Sequence, residues 1–325
     1  MKKKKYSLTK QINIVVVGTG KAGAYHLDAL TNIGNVNVVG VMNSGRKDPI
    51  ELRKKYNINR WIKDVTELKG IQDLDALIVA VSSKQTIKLI RQFAKLNVHC
   101  LIEKPLGIHP SESKEISLLL ESSNKMNFVG FNRRFYSSFL QAQNYMDRLG
   151  APISIHIDAS EPHSRLLSRG KNIDEVNNRL LLNTTHAIDF FIFMFGKPIS
   201  VSNFDHNSHR NGSKIDFMSF LNFSENRNGS FLSHWFSPGP WLFKIYGEDY
   251  QIILNLTRNK GELFSEEFGN VKFDVSEDDI ACKPGVLKQN YFFLKSIINK
   301  KKAHDNLCEI YEAHLNNELT IELSK

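Results

Sequence analysis

The sequence predicts an α/β chain in two parts: a doubly wound parallel sheet at the N-terminus, then an α+β domain with a large open, mostly antiparallel sheet. Three observations carry this. Apolar strands alternate with helical patterns through the first third of the chain. A glycine-rich turn, Gly18-Thr19-Gly20-Lys21-Ala22-Gly23, follows the first strand and opens the first helix. Beyond about residue 126, strands succeed one another with short turns between them.

In the first part, Ile12 to Val17 reads as a buried strand and Lys21 to Ile33 as a helix with Ala22, Leu27, Leu30 and Ile33 on related faces. Val36 to Val41 is a second strand, and Pro49 to Tyr56 a helix with proline near its start. Ala76 to Val81 and Val98 to Ile102 are further strands; Thr86 to Leu96 and Ser111 to Ser122 are helices. Continuous apolar strands separated by helices imply a parallel sheet covered on both faces. In the second part Ile153, Ile155 and Ile157 alternate with polar residues. Phe217 to Phe223, Ser230 to Trp235, Trp241 to Tyr246, Gln251 to Leu256 and Val271 to Val275 follow as strands, with Asn228-Gly229 as a hairpin turn signal. Helical patterns cover Leu180 to Phe195, Val286 to Ile298 and Asn306 to Leu323. The change of pattern places the domain boundary after residue 126, giving domains 1–126 and 127–325.

The 325 residues suit about two domains at ~150 residues each. With 41% apolar and 24% charged residues, the composition excludes a disordered or fibrous chain. The formal charge is +9, four units of it in Lys2 to Lys5. No apolar region adequate for a secretion signal follows those lysines. Phe190 to Phe195 is far shorter than the ~20 residues a membrane span needs. Cys100, Cys282 and Cys308 show no metal or disulfide spacing, so the expected compartment is a reducing cytoplasm. No nucleic-acid recognition motif accompanies the basic charge, so the expected partner is a small molecule rather than nucleic acid or membrane. His206 and His209 lie in a polar loop, and no metal site is expected.

Gly18, Gly20 and Gly23 match G-x-G-x-x-G in the strand–turn–helix context that gives the motif its meaning. Gly18 permits the tight turn, Gly20 lets backbone approach a pyrophosphate, and Gly23 lets helix and strand pack closely. Thr19, Lys21 and Ala22 complete the loop. The helix N-terminus offers N–H groups and partial positive charge to phosphates. A carboxylate about 20 residues on binds the ribose 2′-hydroxyl of NAD; here Asn43 stands in that place, followed by Ser44 and Arg46. Without that carboxylate, and with Arg46 able to bond a 2′-phosphate, NADP is preferred over NAD. Solvated Arg46 and Lys47, or Arg46 stacked on adenine, are the other readings.

Glu103-Lys104-Pro105 follows a strand, and with the glycine motif it resembles the glucose–fructose oxidoreductase / inositol dehydrogenase / rhizopine catabolism protein (Gfo/Idh/MocA) family. His26 after Gly23, Gly130-Phe131-Asn132-Arg133-Arg134-Phe135, His186-Ala187-Ile188-Asp189 and Pro284-Gly285 carry the same resemblance. It implies a Rossmann domain, a second domain for substrate binding and oligomerisation, and homodimers or homotetramers that pair open sheets. It further implies an NAD(P)-dependent oxidoreductase acting on a sugar, sugar derivative or nucleotide sugar.

Residue chemistry gives the candidate roles. Lys104 can hydrogen-bond the reacting oxygen and stabilise developing negative charge. His186 titrates in the range that suits exchange of the hydroxyl proton. Ser82 and Glu103 flank the expected nicotinamide end of the cofactor site. Asn183 and Thr185 are candidates for holding substrate hydroxyls, and Arg133 or Arg134 for meeting a substrate anion, with an internal ion pair as the other reading. His163 and Arg165 are candidates from a loop. Many family members carry Asp four residues before this histidine; here Leu182 occupies that place, with Thr184 where they have glycine. A catalytically impaired NADP-binding regulator of the same fold is therefore the alternative.

Overall fold

The computed structural model describes residues 5–43, 47–162, 164, 167, 168, 170, 177–204 and 216–325, and the backbone of 209, 210, 213 and 214. Ser44, Arg46, His163, Arg165 and His206 lie outside the described residues. Contacts divide the chain into two compact units, each made of two segments. The first is Met1–Phe135 with Asp278–His314; the second is Tyr136–Glu277 with Leu315–Lys325.

The first unit begins with β1 (Tyr6–Val17), α1 (Lys21–Leu30), β2 (Ile33–Met42), α2 (Ile50–Lys55) and β3 (Trp61–Ile62). It continues with β4 (Ala76–Val79), α3 (Ser83–Phe93), β5 (His99–Ile102), α4 (Pro110–Glu121) and β6 (Asn127–Val129). The late segment adds helix Val286–Asn299 and strand Cys308–Glu309. The sheet runs β6-β5-β4-β1-β2-β3 in parallel, with Cys308–Glu309 antiparallel on the outer edge of β6. The order reverses at β1, where doubly wound sheets bind ligands beyond their carboxyl ends.

Side chains alternate across the pleat, so β1 feeds two cores. Ile14 and Val16 pack with Leu27, Leu30, Phe293 and Leu294 on one face. Val15 and Val17 pack with Ile87, Ile90, Ile116 and Leu120 on the other. This burial on both faces explains the uninterrupted apolar run that the sequence shows.

The division differs from the single cut expected after residue 126. β6 pairs in parallel with β5 and so belongs to the first sheet. Helix Val286–Asn299 buries Phe293 and Leu294 completely in the same core. β1 also starts at Tyr6, six residues before the apolar run, and Tyr6 and Ser7 pair with Ile33 and Gly34.

The second unit contains α5 (Ser137–Leu149), β7 (Ser154–Asp158), α6 (Thr185–Phe195), β8 (Ser200–Asn203) and a short hairpin of β9 (His209–Arg210) and β10 (Ser213–Lys214). β11 (Asp216–Asn222), β12 (Asn228–His234), β13 (Leu242–Gly247), β14 (Tyr250–Asn255), β15 (Lys260–Ser265) and β16 (Gly269–Phe273) follow. The eight-stranded sheet has the order β16-β15-β14-β13-β7-β12-β11-β8. Every pairing in it is antiparallel except β7 with β12. On one face an aromatic core joins Phe139, Phe190 and Phe243, with successive ring centroids 4.8 and 4.9 Å apart and near-perpendicular planes. The strands bury alternate residues, which leaves Met218, Leu232, Leu242 and Ile253 half-buried on the opposite face, beside exposed Phe220.

Asn228-Gly229 does not form the hairpin turn that the sequence suggests. Asn228 already pairs with Asn222, and the turn lies before it, with Glu225 and Asn226 at positive φ. Gly229 answers a packing demand instead: a Cβ there would lie 2.6 Å from the Phe191 ring.

Candidate active site

The carboxyl ends of the parallel strands are tied in step by backbone hydrogen bonds. Gly18 N–H donates to Met42 O at 2.8 Å, Ala80 to Val17 at 2.7 Å, Glu103 to Val79 at 2.8 Å and Gly130 to Ile102 at 2.7 Å. The loops carrying Gly18–Gly23, Ser82, Glu103–Lys104 and Gly130–Arg133 therefore leave one edge of the sheet.

Each motif glycine has a separate physical role. Gly18 sits at φ +108°, and a Cβ there would come within 2.1 Å of the Ala80 carbonyl oxygen. A Cβ on Gly23 would lie 1.9 Å from the Gly18 carbonyl oxygen. Gly20 caps α1, and a Cβ there would meet nothing within 4 Å. No side chain caps α1, and its first turn contains no acidic residue. The open cradle at Gly20, beneath uncapped N–H groups and the positive helix end, fits the pyrophosphate of a dinucleotide. Thr19 and Ala22 are half-buried within this loop, and Lys21 is exposed at the start of the helix.

Asn43 is committed to the loop that follows β2. Its amide nitrogen donates to Lys47 O at 2.9 Å, and its amide oxygen accepts from the Trp61 indole at 3.0 Å. It therefore shapes the loop that follows β2. Ser82 is exposed at the start of α3; its carbonyl accepts from Gln85 N–H at 2.8 Å.

Glu103 is half-buried, and its Oε1 lies 3.0 Å from Nε2 of the fully buried His26. The other ring nitrogen of His26 lies 2.9 Å from Asn290 Oδ1. Glu103 thereby anchors the turn rather than reaching freely towards a cofactor. Lys104 follows, half-buried, and its peptide bond to Pro105 is cis. The sequence carried His26 only as part of the family resemblance, and Asn290 without any signal, because their roles depend on a helix far along the chain.

The two adjacent arginines separate. Arg134 is completely buried, pairs with Glu312 at 3.2 Å, and lies 5.8 Å from the centre of the Phe131 ring. That is the internal ion pair, so Arg134 is a fold residue rather than a substrate contact. Arg133 is half-buried and keeps its candidacy.

In the second unit, a π-helical turn, Leu180–Thr184, leads directly into α6. Such turns recur at functional sites. His186 is the second residue of α6 and 7% exposed; Asp189, one turn on, is buried. Thr185 does not face a ligand: it is buried, its hydroxyl donates to Asn316 Oδ1 at 2.5 Å, and Asn316 donates back to its carbonyl at 3.2 Å. It fastens α6 to Asn316 of the C-terminal helix, Ile310–Glu322, which corrects its assignment as a hydroxyl-holding residue. Asn183 is half-buried and donates to Glu161 Oε2 at 3.4 Å; Glu161 also pairs with Arg179. Lys104 belongs to the first unit and His186 to the second. Among the described residues no cluster of His, Cys, Asp or Glu suits a metal ion, and no helix is long and apolar enough to cross a membrane.

The sheet order, the glycine cradle and the uncapped helix define a dinucleotide-binding Rossmann domain. Residues 12–131 match the model of the oxidoreductase family with an NAD-binding Rossmann fold. Through residues 12–131 the chain is similar to the Gfo/Idh/MocA oxidoreductases. A myo-inositol 2-dehydrogenase of Thermotoga maritima is 27% identical over 195 residues, 58% of this chain and 56% of the relative. A scyllo-inositol 2-dehydrogenase (NAD(+)) of Bacillus subtilis is 27% identical over 146 residues, 44% of this chain and 43% of the relative. These matches thus span about half of the relatives' lengths. Solved structures extend the likeness in fold to nearly the whole chain. A UDP-N-acetylglucosamine 3-dehydrogenase from Acidithiobacillus ferrooxidans superposes with a TM-score of 0.79 at 14% identity, covering 97% of both chains. A levoglucosan dehydrogenase in complex with NADH gives 0.80 at 15%, again covering 97% of both.

Proposed function

We propose that this protein is an NAD(P)-dependent oxidoreductase that moves a hydride between the nicotinamide and a carbinol carbon of a sugar, polyol or nucleotide sugar. The observation that carries the reading is the glycine cradle on the same sheet edge as Glu103 and Lys104. The relatives named as inositol, levoglucosan and UDP-N-acetylglucosamine dehydrogenases support the substrate class. NADP is the preferred cofactor in this reading, because position 43 lacks the carboxylate that repels a 2′-phosphate; NAD is the second choice.

When bound, the nicotinamide supplies the hydride acceptor or donor. Lys104 donates a hydrogen bond to the carbinol oxygen and stabilises negative charge as the carbon–hydrogen bond breaks. His186 accepts the hydroxyl proton in oxidation and returns it in reduction. Arg133 meets anionic groups at the sheet edge. A second copy of the chain covers the open sheet face of the second unit, whose half-buried Met218, Leu232, Leu242 and Ile253 form an apolar patch.

The test follows nicotinamide absorbance with NAD and NADP across a panel of sugars, polyols and nucleotide sugars. Turnover on a member of the panel, abolished in Lys104→Ala and lowered at least about a hundredfold in His186→Ala, is the expected result. Tight cofactor binding without turnover anywhere would replace the enzyme with a non-catalytic dinucleotide-binding protein.

A further inference from the structure

We propose that Lys283 is a cofactor-binding residue: with Lys21 and Arg133 it forms a cationic clamp for the dinucleotide pyrophosphate. The assignment rests on the cofactor reading above and extends it to a residue that no sequence motif marks.

Three segments of the first unit bring these cations together. Lys21 is the first residue of α1, and its ammonium lies 5.8 Å from the centre of the Tyr25 ring one turn on. The Lys283 ammonium lies at the same distance from that ring. Each contact is within cation–π range, so one aromatic side chain gathers two ammonium groups from opposite ends of the sequence. The Lys283 loop is held firmly. Asn132, next to Arg133, donates from Nδ2 to Pro284 O at 2.8 Å, and Gly285 N–H donates to Asp279 Oδ1 at 2.8 Å. Partial burial, then the nearby charges of Arg133 and Lys21, hold the Lys283 ammonium below the ordinary lysine range.

The surrounding carboxylates are engaged elsewhere. Asp278 takes Lys5 and Tyr6, Asp279 takes the Gly285 amide, and Glu103 takes His26. Among the described residues neither Lys21 nor Lys283 forms an ion pair with a carboxylate. Like charges held together without a counter-ion repel, and a bound anion converts that repulsion into attraction. Lys21 and Lys283 are both exposed residues. The neighbouring anion cradle at Gly20 adds free N–H groups and the positive helix end. A diphosphate bears the two adjacent charges that this arrangement complements. A phosphate on the substrate shares that chemistry, but Lys21 lies within the Gly18–Gly23 loop and points to the cofactor as the source.

The test measures NADPH and ADP-ribose binding, without substrate, to the full chain and to Lys283→Gln and Lys283→Arg at low and high salt. Thermal melts of the variants establish that they fold. The clamp predicts that Lys283→Gln weakens both ligands about tenfold, with Lys283→Arg near wild type. It also predicts that Lys283→Gln flattens the salt dependence, because one cation no longer contributes. Equal affinity of wild type and Lys283→Gln for ADP-ribose overturns the clamp and leaves the dinucleotide reading intact. A rise confined to the KM of a phosphorylated substrate also overturns it, and transfers Lys283 to the substrate. Failure of the wild type to bind either ligand overturns the dinucleotide reading itself, and the clamp with it.

Discussion

The buried imidazole of His26 joins the residue that precedes Lys104 to a helix from the far end of the sequence. Its Nε2 lies 3.0 Å from Glu103 Oε1, and its Nδ1 lies 2.9 Å from Asn290 Oδ1. Gly130 leaves room for this contact, since a Cβ there would approach Glu103 Oε1 to 2.9 Å. The turn that presents Lys104 is thus held from α1, from the end of β6 and from helix Val286–Asn299. Removing the imidazole in His26→Ala strands the Glu103 carboxylate and opens a hole in a closed site. The expected cost is about 2–4 kcal/mol, read as a lower urea midpoint. Glu103→Gln, whose amide oxygen still accepts from the ring, is expected to lose less. A midpoint unchanged in His26→Ala would show that the contact does not hold the turn.

The glycine motif separates folding from binding. Gly23→Ala places a Cβ 1.9 Å from the Gly18 carbonyl oxygen, so α1 must move away from β1. It is expected to lower the thermal midpoint by several degrees. Gly20→Ala meets nothing within 4 Å, so its thermal midpoint is expected to stay near that of the wild type. Its methyl group enters the space that a phosphate would use, and NADH affinity should fall at least about tenfold. Melting curves and fluorescence titration distinguish the two effects; normal NADH binding by Gly20→Ala would remove the cradle from the cofactor site.

His99 ties stability to pH. Its Nδ1 accepts the Met126 N–H at 2.8 Å, a bond that only the neutral ring makes. Burial, followed by the nearby Lys125 charge, lowers its pKa from 6.5 to about 4. Between those values the unfolded chain binds a proton that the native chain does not. Stability therefore falls as pH drops from 6.5 towards 4, and this group has little effect above 6.5. His304, also lowered by burial, acts in the same direction. Urea midpoints at about pH 7 and pH 4.5 should differ less in His99→Gln than in the wild type. An identical acid loss would place the sensitivity elsewhere.

The legibility of this molecule follows the range of its interactions. β1, β4 and β5 are readable because burial on both faces demands apolar residues throughout, and the glycine loop because its constraints act within six positions. Lys104 was placed by the strand before it. Harder features depend on distant partners. In sequence Thr185 reads as a ligand-holding hydroxyl; in the fold that hydroxyl is taken by Asn316, far along the chain. Arg133 and Arg134 are indistinguishable in sequence; Glu312 decides which one the fold uses. α5 carries a helical apolar spacing in Phe139, Ala142, Tyr145, Met146 and Leu149, so its signal is local and present in the sequence. β15, with half-buried residues on both faces, carries too weak an alternation to declare itself.

The open sheet face gives the last prediction. Met218 pairs with Leu232, Leu232 with Asp158, Asp158 with Leu242 and Leu242 with Asn255, in one row across five strands. The neighbours of Leu232 in its own strand, Phe231 and Ser233, are completely buried in the opposite direction. A substitution at Leu232 therefore alters this face without entering the aromatic core. If a second copy covers the row by two-fold symmetry, each substituted residue is brought into the interface twice. Leu232→Glu then buries two unpaired carboxylates, an arrangement costly enough to separate the subunits. Sedimentation should show the wild type as a dimer or larger assembly and Leu232→Glu as a smaller species, with circular dichroism unchanged. The same mass for both proteins would assign subunit pairing to another surface, because an interface through this row cannot absorb the paired charge.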